Sequence, residues 1–129
     1  MTIELWDETL PGKRASAGTL HLPTKSLTVR ELLRARIQKE VAQYNQTLPE
    51  AFEGLVQPEA AERILNGFRL GTRRPLDWEA QFRQACSSFN SNGFLVLVDE
   101  QQITDLDSPF YPTPDSQVSF VKLVPLVGG

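Results

Sequence analysis

The chain has one cysteine and one histidine in 129 residues, no surplus of basic side chains, and no apolar run approaching the ~18 residues of a membrane-spanning helix. Each scarcity removes a class of function. Cys86 alone can form no internal disulfide, which agrees with a reducing compartment. His21 alone supports neither a histidine-based metal site nor a Cys–His dyad, and the acids at 99, 100, 105 and 107 lack the glycine-containing spacing of a calcium loop. No metal and no cofactor is therefore expected. The 13 Lys+Arg against 16 Asp+Glu leave a formal charge of −3, whereas nucleic acids and anionic membranes demand an excess of cations, so neither is an expected partner. The opening MTIELWDETL has acids at Glu4 and Asp7 and lacks the basic region of a secretion signal, so a cytoplasmic location is expected.

What is present fits one ordinary domain, 1–129, large enough to bury a core without a staple: 40% of its residues are hydrophobic. Ile3 and Leu5 alternate with Thr2 and Glu4, Leu10-Pro11-Gly12-Lys13 supplies turn chemistry, and Gly18 to Leu22 resumes the alternation, which together predict an opening β-hairpin. Thr28 and Glu31 form a capping box. Behind it Val29, Leu33, Ile37, Val41 and Tyr44 make one helical stripe that needs a sheet to pack on.

Residues 47–93 differ in texture and read as a helical insert. Pro58 to Leu65, with Asn66-Gly67 as a stop, predicts one short helix; Asp77 as N-cap opens another with Trp78, Phe82, Ala85 and Phe89 as its apolar face. Phe94 to Val98 is a short apolar run rich in branched residues, predicting a strand covered on both faces. The stretch 99–115 carries five acids and no base and reads as a short strand with a long turn, and Val118 to about Val124 reads as the last strand. The order is ββαββ with helical additions before the third strand: an α+β fold in which the helix supplies the crossover that would let the last strand lie parallel to the first.

The last residues, Pro125-Leu126-Val127-Gly128-Gly129, carry the chemistry. Glycines without Cβ can thread a narrow channel and bring a carboxylate close to an enzyme, and a carboxylate becomes an acceptor for a thiol, amine or sulfide once activated as an acyl-adenylate. With Leu95-Val96-Leu97-Val98-Asp99 and Asp115-Ser116-Gln117-Val118-Ser119-Phe120, this ending resembles the ubiquitin-like β-grasp family and its bacterial sulfur-carrier branch. In residue identity the likeness covers the C-terminal third; hairpin and helix match in order and kind. The chain departs from the family in Pro114, where a glycine is usual, and in the insertion of about 45 residues after the helix, features that favour a bacterial ubiquitin-like modifier over a sulfur carrier.

The resemblance implies that the chain is no enzyme but the substrate of an ATP-dependent adenylating activating enzyme, with Gly128 and Gly129 as the conjugation site. Its further partners would be a conjugating enzyme, a deconjugating protease and a target protein. Leu123, Pro125 and Leu126 would form the apolar patch that the activating enzyme reads. The same tail would also serve a sulfur carrier, through a thiocarboxylate, or go unused in a noncovalent ubiquitin-like subunit. Independently of the resemblance, no nucleophile, base and orienting group stand together in the sequence, and Cys86 reads as packing. Lys13, in the predicted hairpin turn, is the first candidate acceptor if the protein forms chains on itself. Arg63, Arg69, Arg73 and Arg74, with no acid between them, read either as a solvated loop, as a partner-binding patch, or as a group that docks on the acidic 99–115 band.

Overall fold

A computed structural model describes residues 1–9, 12–23, 25–65 and 67–123. The described chain is α+β. Seven strands, β1 (Thr2–Thr9), β2 (Lys13–His21), β3 (Ala61–Ile64), β4 (Gly67–Leu70), β5 (Phe94–Val98), β6 (Gln101–Ile103) and β7 (Gln117–Lys122), are joined by two helices, α1 (Val29–Thr47) and α2 (Trp78–Asn90). Two compact units divide it: Met1–Leu32 together with Ser88–Gly129, and Leu33–Ser87. Among the described residues no helix is long and apolar enough to cross a membrane.

The first unit holds a mixed five-stranded sheet ordered β2-β1-β7-β5-β6. β1 and β2 pair antiparallel across the expected turn, where Gly12 has φ +127. Leu5 on β1 stands opposite both Ala17 and Gly18, because Glu4 pairs with Thr19 and Trp6 with Ser16; Gly18, at φ +94, absorbs the resulting bulge. β7 lies between β1, to which it is parallel, and β5, to which it is antiparallel. The parallel pairing of first and last strands is the arrangement that the ββαββ order called for. One face of the sheet is the core: Ile3, Leu5, Phe94, Val96, Val118 and Phe120 are buried, and Phe94 meets Phe120 and Phe89 with ring centroids about 6 Å apart. Leu95 and Leu97, on the other face of β5, are only half-buried, so the strand expected to be covered on both faces is covered on one.

The capping box opens α1 as expected. The Thr28 hydroxyl accepts from the Glu31 N–H at 3.1 Å and Glu31 accepts from the Thr28 N–H at 3.1 Å. Val29, Leu33, Ile37, Val41 and Tyr44 are all buried, and with them Leu32 and Arg36. The first turn belongs to the first unit and the rest of the helix to the second.

In the second unit the segment expected to be a helix over 58–65 is a turn at Glu59 and Ala60, the latter at φ +57, followed by the strand Ala61–Ile64. Ala61–Ile64 pairs antiparallel with Gly67–Leu70, Ile64 facing Gly67, and Phe52 adds an isolated bridge to Phe68. Of the two helices expected within 47–93, one is therefore a hairpin; the other, α2, starts at its Asp77 cap, whose carboxylate accepts from the Glu79 N–H at 3.1 Å. Side chains stand in for peptide groups in this unit. Asn45 both donates to and accepts from the Leu76 backbone, at 3.0 and 2.8 Å, and buried Gln81 donates to the Val56 carbonyl at 3.3 Å.

Candidate functional site

The expected conjugation residues Gly128 and Gly129, and Pro125 and Leu126 of the expected apolar patch, lie outside the described residues. Of that patch only Leu123 is described, and it is 40% exposed. Just before it Val118 and Phe120 are fully buried, while Lys122 reaches Asp7 at 3.6 Å. Lys13 is exposed at the start of β2, opposite Thr9.

The arginines of the second unit are largely committed within their own unit. Arg69 pairs with Glu62, its cross-strand neighbour, and with Glu50 at 3.7 Å; the Glu62 hydrogen bond raises its already high pKa. Arg74 donates to the Glu59 carbonyl at 3.0 Å, and Arg63 lies 5.8 Å from the Phe68 ring centroid. Arg73 is exposed. Counting arginines along the sequence overstates the free positive charge, because Glu62 and Glu50 lie outside the arginine run and reach it through the hairpin.

The acidic band also divides. Asp107 takes a bidentate contact from Arg30, at 2.7 and 3.1 Å, and that hydrogen bonding holds its carboxyl below the ordinary range. Asp105 accepts from the Asp107 N–H at 2.8 Å. Asp99 and Glu100 instead form the two-residue turn between β5 and β6, both in the left-handed region at φ +48 and +71, and the Asp99 carboxylate accepts from the Gln117 N–H at 2.9 Å. Among the described residues no group of three or more His, Cys, Asp or Glu is placed to hold a metal ion.

One constellation escaped sequence reasoning. On the face of the first unit's sheet opposite its core, cross-strand neighbours Trp6, Ser16, Ser119 and Leu97 make one row and Glu8, Arg14, Val121 and Leu95 the next. Arg14 is fixed at three points: its guanidinium lies 3.9 Å from the Trp6 ring centroid, 3.4 Å from Glu8, and donates to the Gln117 side chain at 2.6 Å. Buried Ser119 donates to Glu8 at 3.3 Å, and the Trp6 Nε1 is buried without a hydrogen-bond partner among the described residues. Beside this row opens a cleft of about 580 Å³ bounded by Glu8, Arg14, Leu97, Asp99, Glu100, Asp115, Gln117 and Ser119. The sequence signal was Trp6 on the polar phase of β1, but the bulge at Gly18, which decides which β2 residue meets it, is set by strand pairing alone. Compared with protein-family models, with curated proteins and with solved structures, the chain matches none.

Proposed function

We propose that this chain is a ubiquitin-like protein modifier, its β1–β2 hairpin, α1, β5–β6 hairpin and β7 forming a β-grasp and 47–93 an insertion into it. The Gly129 carboxylate attacks ATP to give an acyl-adenylate and pyrophosphate; a cysteine thiolate of the activating system displaces AMP to give a thioester; an amine of the target displaces that thiol to give an amide. The chain contributes the electrophile and the recognition surface, and the enzymes contribute the catalysis. The observation that carries this reading is the sheet order β2-β1-β7-β5-β6 with β1 and β7 parallel, which is compatible with a β-grasp and makes the strand leading to Gly128-Gly129 its central one.

Intact-mass and peptide analysis of the protein recovered from its native host is the test. An amide between Gly129 and an amine of another protein is the expected result. A thiocarboxylate at Gly129 would establish the sulfur-carrier alternative, and a chain that continues unprocessed beyond Gly129 would overturn both. Replacing Gly128 by Trp is expected to abolish adenylation in a pyrophosphate-release assay while leaving the melting temperature unchanged. Leu126→Asp is expected to weaken the same step.

A further inference from the structure

The rim of the cleft on the open sheet face carries charge of one sign. Asp99, Glu100 and Asp115 form its rim, and the cation within it, Arg14, is held by Glu8, Gln117 and the Trp6 ring. No ion pair joins Asp99, Glu100 or Asp115 to another described residue, whereas Asp107, in the loop between Glu100 and Asp115, is neutralised by Arg30. The neighbouring surface is apolar, with Leu95 and Leu97 half-buried on β5.

We propose that this face docks a basic, amphipathic segment of a partner protein, which lays an apolar side chain against Leu95 and Leu97 and directs a lysine or arginine to the rim of Asp99, Glu100 and Asp115. The charge decides the partner's chemistry. Phosphate-bearing partners are repelled by the rim, and an uncharged segment would desolvate three carboxylates with no opposing charge, Asp99 keeping its hydrogen bond from the Gln117 N–H. Arg14, already occupied, reinforces the selection by filling the space beside Glu8, so that the incoming cation meets the rim acids and not Glu8.

The β5–β6 turn adds an observation of its own. Two-residue hairpin turns with both residues at positive φ favour Asn-Gly or Asp-Gly, so Asp99 suits its place and Glu100, which lacks the freedom of glycine, does not. Glu100 therefore stands at φ +71 where glycine is favoured, and puts a second carboxylate beside Asp99. The turn lies at the Gln117 end of β7, away from Lys122 and the residues that follow, so the proposal does not rest on the tail chemistry.

The double variant Asp99→Asn/Glu100→Gly separates function from folding, since asparagine keeps an oxygen for the Gln117 N–H and both residues suit the turn. The full chain, labelled with nitrogen-15, is titrated with an eight-residue peptide of alternating lysine and leucine, and with the same peptide carrying glutamate for lysine. Saturable shifts at Leu97, Asp99, Glu100 and Gln117 with the lysine peptide alone are expected. In the double variant the affinity should fall about tenfold or more, while the melting temperature stays level or rises. A second variant, Glu59→Gln/Glu79→Gln, removes equal charge from the other unit and is expected to bind as the wild type does. The proposal is overturned if no saturable shift occurs, if the glutamate peptide or magnesium alone produces the same shifts, if the Asp99/Glu100 variant binds undiminished, or if the Glu59/Glu79 variant loses as much.

Discussion

Arg36 and Glu40 form an ion pair one turn apart on α1 at 2.7 Å, with side chains only 5% and 14% exposed, and the second Glu40 oxygen accepts from the Leu55 N–H at 3.2 Å. A buried pair contributes little net stability, because desolvation offsets the attraction, yet removing one member strands the other. Glu40→Ala is therefore expected to destabilise the protein by about 3 kcal/mol in urea denaturation, and Arg36→Met/Glu40→Leu to recover most of that loss. Asp107 sits at the other extreme, exposed and paired with Arg30. Its carboxyl pKa is lowered on folding, so its contribution is complete above the ordinary carboxylate range and is lost only as pH falls through the depressed folded value. A carbon-13 titration should find Asp107 losing its proton below the ordinary carboxylate range, and Arg30→Gln should return it to that range. High salt is expected to shrink the difference, as for any exposed pair.

At the scale of elements, caps and turns carry testable weight. Thr28→Ala removes the α1 cap and is expected to cost about 1 kcal/mol. Gly67 has φ +139, and a Cβ there would stand 2.5 Å from the Phe52 carbonyl oxygen, while Gly71 faces open space. Gly67→Ala is thus expected to destabilise by about 2 kcal/mol and Gly71→Ala by well under that, both read by thermal unfolding. Gly67 also shows why part of the fold was hidden from the sequence. The opening hairpin, α1 and α2 were legible because turn or cap agreed with periodicity, and β5 because its apolar run is short and rich in branched residues. In 58–65 they disagreed: Glu59, Ala60, Ala61, Glu62 and Arg63 are good helix formers, but Asn66-Gly67 is also a strong hairpin signal, and Phe68 and Leu70 alternate behind it. Pairing of Phe52 with Phe68 favours the hairpin, and that contact has no local signature. The same holds for the candidate cleft: its acids were visible as a band, while its division into an Arg30-paired part and an open rim depends on contacts far apart in sequence.

The molecule as a whole threads one contiguous unit, Leu33–Ser87, between the two halves of a discontinuous one. The halves meet at β7, which pairs with β1 more than a hundred residues upstream. Contacts of such long separation slow folding, because loop closure must precede any reward from them. A chain ending before Gln117 is expected to lose the five-stranded sheet cooperatively, with amide protection vanishing from β1 and β5 together in hydrogen exchange. This arrangement also fixes an order of events during synthesis. Translation delivers β1–β2 early and β5–β6 late, but the strand that welds them is made after both. Until the ribosome has released residues 117–122, the nascent chain displays two ladders whose inner edges, β1 and β5, lie bare and ready to pair with any other strand. Premature termination, or a ribosome stalled before residues 117–122 have been made, would thus yield an adhesive product in place of a shortened but folded one, and cells expressing this protein would depend on quality control at that point in its synthesis.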